Sequence, residues 1–151
     1  MEILNLPSYS FKTRSLEGKL QIFDEIRKRY VALTPEEWVR QNFLKYLVEE
    51  KKYPASRMAL EYALQYNGLS KRGDIVFFNK NAAPEIIVEC KAPTVKITQD
   101  TFDQAARYNF ILRVRYLVIT NGLDHYCCEM NYSDNSYKFL PSIPDYEVST
   151  V

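Results

Sequence analysis

A chain of 151 residues with a formal net charge of +1 is long enough for one packed core. It lacks the excess of Lys and Arg that a generic DNA binder carries. Its 46% hydrophobic and 26% charged residues exclude a disordered or fibrous chain. Three cysteines (Cys90, Cys127, Cys128) cannot make a disulfide framework and show no zinc spacing. No apolar run approaches the roughly 20 residues of a membrane span. Met1 to Ser10 has no basic stretch followed by an apolar one, so neither a signal peptide nor a membrane association is expected. A reducing, cytoplasmic location is the expectation.

In chain order, residues 1–13 lack periodicity and are expected to be irregular. Leu20, Phe23, Ile26 and Tyr30 recur near helical spacing, which predicts a first helix over Leu16–Arg29. Arg27-Lys28-Arg29 is then either a phosphate-contacting patch or a solvated helix end. A second helix starts at Thr34, a good N-cap, with Pro35 in the first turn and Glu37 at capping-box spacing. Val39, Phe43, Tyr46 and Leu47 form its apolar stripe, and it should stop before Tyr53-Pro54. Residues 57–64 alternate as a strand, with Met58, Leu60, Tyr62 and Leu64 on one face and Glu61 on the other between Ala59 and Ala63. Glu61 either borders a metal site or guards an edge strand. Asn67-Gly68 is a turn signal.

Two almost continuously apolar runs follow, Gly73 to Phe78 and Ile86 to Lys91, joined by a turn over residues 79–84. Such runs suit central strands covered on both faces. A helix is predicted over Thr98–Val114 and a buried strand over Tyr116–Thr120, closed by Asn121-Gly122. Two shorter strands, His125–Met130 and Tyr137–Leu140, make an added hairpin, and residues 141–151 are expected to be irregular. Residues 1–151 are expected to form one domain. The predicted order is helix, three strands, helix, strand, then the hairpin.

The chemistry-bearing residues lie where the apolar strands meet loops. Asp74 opens the first run. Glu89 and Lys91 are two apart in the second, so they share a face. A hairpin between the runs brings Asp74 near Glu89. Two acids and a lysine at a sheet edge form a minimal Mg²⁺-dependent phosphodiesterase site. An ordinary ion pair and a turn aspartate would leave the same pattern.

The acid, then acid-x-lysine order of Asp74 and Glu89-Cys90-Lys91 resembles the PD-(D/E)XK nuclease superfamily. Pro35-Glu36-Glu37-Trp38-Val39-Arg40-Gln41, Lys71-Arg72-Gly73-Asp74-Ile75-Val76, Val88-Glu89-Cys90-Lys91-Ala92-Pro93 and Thr120-Asn121-Gly122 narrow it. They resemble the N-terminal nuclease domain of type I restriction enzyme R subunits, over roughly residues 30–126. Gln104 and Tyr108 fit that group's glutamine-x-x-x-tyrosine element. Gly73 departs from the superfamily pattern by standing where its name has proline.

The resemblance implies an α/β fold, a restriction-endonuclease-like mixed β-sheet flanked by helices with core order αβββαβ and an added C-terminal hairpin. It implies a DNA endonuclease of a restriction system. Asp74, Glu89 and the Cys90 backbone carbonyl would hold Mg²⁺, with Mn²⁺ as substitute. Lys91 would stabilise developing charge, and a lysine beside two acids keeps its proton. Gln104 would support catalysis, and Glu37, Arg40 and Tyr108 would contact DNA or assist the site. For Glu37 the capping role serves equally, for Arg40 and Gln41 a solvated surface does, and for Tyr108 core packing does. The Cys90 thiol should point into the core. With four glycines the chain has no Walker A loop. The resemblance therefore implies a nuclease domain without the ATP-driven motor, either standalone or excised, with a motor or specificity subunit as a partner in trans. The rival is a non-catalytic nucleic-acid-binding or interaction module retaining the fold. His125 has no metal-spaced partner and is expected to be a satisfied structural residue.

Overall fold

The computed structural model describes residues 1–66 and 68–147. It departs most from the sequence expectation at the N-terminal end. Residues 16–29 are not helical. Strands β1 (Thr13–Leu16), β2 (Lys19–Asp24) and β3 (Arg29–Ala32) form an antiparallel sheet. The local chemistry explains the difference. Glu17 (φ 51°) and Gly18 (φ 78°) make a two-residue left-handed turn, the conformation that joins twisted antiparallel strands. Asp24 Oδ1 accepts hydrogen bonds from the N–H groups of Ile26 (2.8 Å) and Arg27 (2.9 Å). That side-chain turn captures donors a helix would need. Burial follows period two at Ile22 and Asp24, while Leu20 is exposed. Arg27 and Lys28 therefore lie in a strand connection and Arg29 opens β3, so the run is not a helix end.

Helix α1 (Pro35–Lys45) begins as expected, with Thr34 Oγ1 accepting from Glu37 N–H at 3.1 Å. A π-helical turn (Tyr46–Glu50) extends it before Tyr53-Pro54. Strands β4 (Met58–Tyr66), β5 (Leu69–Phe78), β6 (Pro84–Cys90), β7 (Tyr116–Thr120), β8 (His125–Asn131) and β9 (Ser136–Leu140) form a six-stranded sheet in that order. Only β6 and β7 pair in parallel, and α2 (Gln99–Leu112) makes the crossover between them. The mixed sheet flanked by helices, in the order αβββαβ plus a hairpin, is the expected architecture; the N-terminal sheet is additional. Asn67, half of the anticipated turn, lies outside the described residues, as do residues 148–151.

The sheet buries both faces. Ile75, Phe77, Ile86, Val88 and Cys90 pack against Val39, Phe43 and Leu47 on the α1 side. Val76, Ile87, Leu117, Ile119 and Cys128 pack against Phe102, Ala105 and Ala106 on the α2 side. This two-sided burial is why β5, β6 and β7 read as unbroken apolar runs.

The alternation fails at one place. Met58 and Leu60 belong to the α1-side core, but Leu64 belongs to the α2-side core, so these residues do not share one face. Glu61 lies between them with φ at 52°, a strained value for a residue with a side chain. The partner strand breaks at the same level. A Cβ on Gly73 would lie 2.7 Å from Val76 Cγ2 and 3.0 Å from Ile87 Cγ1, on the α2 side, whereas Ile75 faces α1. Pairing of β4 with β5 runs through Leu60–Ile75 and resumes at Tyr62–Gly73, leaving Glu61 opposite Asp74.

Candidate active site

That break is where the site is built. The β5–β6 ladder runs as far as Ile75–Val88. Beyond it the strands part, and the Cys90 N–H donates to Asp74 Oδ2 at 2.7 Å instead of to a main-chain carbonyl. In an extended strand a residue's N–H and C=O leave on the same edge. The Cys90 carbonyl is therefore directed toward the β5 edge, beside Asp74. On the other edge, Lys91 N–H donates to Thr120 O at 2.8 Å, which ties the segment to β7. The Cys90 side chain is buried in the α1-side core, and burial pushes its thiol pKa well up, with Asp74 adding to the effect. It is a neutral core thiol, as expected.

Asp74 is close enough to Glu89, Lys91 and Arg40 to feel each charge. Burial pushes its pKa above the ordinary carboxylate value and Glu89 adds to that; the Cys90 N–H, Arg40 and Lys91 oppose it. The structure thus brings Asp74, Glu89 and Lys91 together. Glu89 is 8% exposed, and its Oε1 lies 2.5 Å from Lys71 Nζ but in poor hydrogen-bond alignment.

The α1 side of the site is a chain of buried charges. Arg27, from the β2–β3 connection, pairs with the fully buried Asp24, with both Glu37 carboxylate oxygens at 3.0 Å, and with Glu61 at 3.3 Å. Arg40 approaches Glu61 Oε1 (3.2 Å), Asp74 Oδ1 (3.7 Å) and Glu37 Oε2 (3.8 Å). Its Nε and Nη1 are buried without an aligned acceptor, so it acts here as a charge more than as a hydrogen-bond donor. Gln41 Nε2 donates to Glu37 Oε2 at 3.0 Å. Burial alone would raise the Glu61 pKa; Arg40, Arg27 and Arg72 outweigh it and hold Glu61 below the ordinary value.

Two alternatives close here. Arg40 (7% exposed) and Gln41 (3%) are not solvated surface residues; both turn toward the acids. The Glu37 side chain does not return to the helix end as a capping box would have it; Arg27 and Gln41 hold it.

On the α2 side, Tyr108 is exposed rather than packed in the core, and Lys71 Nζ sits 5.1 Å from its ring centroid. Gln104, Arg107, Tyr108 and Ile111 line a shallow groove on the outer face of α2. His125 is satisfied, with Nδ1 2.6 Å from Thr120 Oγ1 and Nε2 2.8 Å from the Asn5 carbonyl.

Sequence reasoning missed Arg27 and Lys71, and it left Glu61 open. Arg27 was concealed by the wrong secondary structure. Lys71 carried a usable signal, since it stands three residues before Asp74 on the strand next to Glu89.

Among the described residues, no three His, Cys, Asp or Glu side chains converge tightly enough to cage a metal. A site of two carboxylates and one main-chain carbonyl does not require three. Asp74, the buried Glu89 Oε1 and the Cys90 carbonyl are hard oxygens, which fit a small dication.

The model of a known protein family, described as type I restriction enzyme R protein N terminus, matches residues 35–144. The chain belongs to this family. The match runs from α1 through β9 and leaves out β1–β3, so Arg27 reaches into the site from outside it. No curated protein matches the chain. Among solved structures, a fragment of a candidate HsdR subunit of a type I restriction enzyme from Vibrio vulnificus is 21% identical with a TM-score of 0.52. The match covers 74% of this chain and 24% of that one, so this chain spans about a quarter of its length. A candidate nuclease belonging to DUF820 from Anabaena variabilis is 12% identical over 91% of this chain and 80% of its own, with a TM-score of 0.45. Among the described residues, no helix is long and apolar enough to cross a membrane.

Proposed function

We propose that this domain is a Mg²⁺-dependent endonuclease that hydrolyses DNA phosphodiester bonds, in the manner of the R-subunit nuclease domain. The observation that carries the reading is the Cys90 N–H to Asp74 Oδ2 hydrogen bond. It locks one carboxylate of the site onto the segment that holds Glu89 and Lys91.

Each residue then has a role. Asp74, Glu89 and the Cys90 carbonyl hold the metal through oxygen. Mg²⁺, or Mn²⁺ in its place, supplies Lewis-acid charge and a more acidic water when bound. Arg40 favours the ionised form of Asp74 against the cost of burial. Lys91, whose charge is felt at Asp74, would stabilise the negative charge that grows on the phosphoryl oxygens in the transition state. Gln104 and Tyr108 line the outer face of α2, from which a DNA backbone would approach. Glu37 and Arg40 act from beneath, through Glu61 and Asp74, and not by touching DNA. The chain's near-neutral charge supports weak DNA binding by this domain alone, with motor or specificity subunits as partners that supply affinity.

The test is nicking of supercoiled plasmid with and without Mg²⁺. The wild type should cleave only with the metal. Asp74→Asn and Lys91→Ala should each lose at least about 10²-fold in rate while still unfolding in one cooperative transition no lower than that of the wild type. Cleavage that persists in both variants would show that the site is elsewhere. A wild type that does not cleave, and binds DNA equally well without metal, would favour the binding module.

A further inference from the structure

Lys71 belongs to no role assigned so far, yet it is in direct contact with one of the two acids of the proposed metal site. Its Nζ lies 2.5 Å from Glu89 Oε1, with side-chain exposures of 23% and 11%. Lys71 pairs with Leu64 across β4–β5, and Leu64 belongs to the α2-side core, so Lys71 leaves the sheet on that side. Its ammonium therefore reaches both the Glu89 carboxylate and the open face of Tyr108.

Resting on the metal-site reading above, we propose that Lys71 is a built-in counter-ion that a divalent cation must displace from Glu89. The Glu89 side chain is only 11% exposed, and a charge that deep needs a partner. Without metal, Lys71 is that partner. It covers Oε1, the oxygen that otherwise lacks an aligned hydrogen bond. A dication and an ammonium cannot both sit on that oxygen without strong mutual repulsion. Metal entry thus requires Lys71 to swing off. Its stem is long, and the Tyr108 ring offers the displaced ammonium a second favourable resting place. From there it faces the groove formed with Gln104, Arg107 and Ile111, where a DNA phosphate would pair with it. Phosphate and metal then assist each other's binding.

The direction of one binding change separates this role from plain positioning. If Lys71 competes with the metal, Lys71→Met should bind Mn²⁺ more tightly than wild type. If Lys71 only positions Glu89, the same change should weaken binding. With Lys71 on Glu89 about nine-tenths of the time, the gain is about tenfold in Kd. The probe is Mn²⁺ alone, with free ion counted by electron paramagnetic resonance. Lys71→Gln repeats the test with a polar side chain in case the methionine variant folds poorly. Asp74→Asn supplies the control. Tighter binding in the Lys71 variants supports the proposal. Equal or weaker binding there, with wild-type binding that depends on Asp74, overturns the proposal and leaves the metal site standing. Mn²⁺ binding that ignores Asp74 in every background overturns both.

Discussion

The two sides of the site hold their charges in different ways. On the α1 side, Asp24, Glu37 and Arg40 are buried, Arg27 is partly buried, and the four interlock across three elements. On the α2 side, one lysine meets one glutamate beneath an exposed tyrosine. A buried network is rigid because removing any member leaves an uncompensated charge. A single, partly exposed cation on a flexible stem can instead be exchanged for another cation, which keeps the Glu89 charge compensated. The arrangement fixes Asp74 and leaves Glu89 open to exchange, as the proposed metal and phosphate binding requires.

Breaking the fixed side should have the largest effect on stability. Arg27→Met leaves the buried Asp24 without its cation and Glu37 with only the longer Arg40 contact, and should cost about 3–5 kcal/mol in urea unfolding. A loss below about 1 kcal/mol would show that water compensates both acids and that the network is not rigid. Next comes the strand break between the two sides. Gly73→Ala places a methyl 2.7 Å from Val76 Cγ2 and should cost about 1–3 kcal/mol. It should also depress cleavage more than its stability loss explains, because Asp74 is the next residue. An equally stable and active variant would mean that the break tolerates side chains.

The smallest effect is electrostatic and pH-dependent. Burial raises the Asp74 pKa, so its contribution to metal-free stability is fully present below the ordinary carboxylate pKa and is lost as pH rises through the folded value. Asp74→Asn removes that loss. The variant should melt higher than wild type at neutral pH without metal, and the gap should close as pH falls into the acid range. A wild type that melts higher at neutral pH would show that Arg40 and the Cys90 N–H outweigh burial.

Much of the fold was legible because burial on both faces leaves a simple record. The runs Ile75 to Phe78, Ile86 to Val88 and Tyr116 to Thr120 are apolar without interruption, and Thr34 and Thr98 cap the two helices. The N-terminal sheet was not legible from apolar spacing. Leu20, Phe23, Ile26 and Tyr30 suit a helix, and the deciding features were polar: the Glu17-Gly18 turn and the Asp24 side chain. Asp74, Glu89 and Lys91 were legible as a constellation because they lie on neighbouring strands. Arg27 was not, since its partners Glu37 and Glu61 are brought to it by tertiary structure alone. The left-handed backbone at Glu61 has no signature in a residue type that ordinarily avoids it.

The most direct measurement is an anomalous difference map from crystals grown with Mn²⁺ and a short DNA duplex. The account predicts a peak bounded by Asp74, Glu89 and the Cys90 carbonyl, with Lys71 moved off Glu89. Mn²⁺ bound elsewhere, or Lys71 still seated on Glu89 with DNA in place, would contradict it.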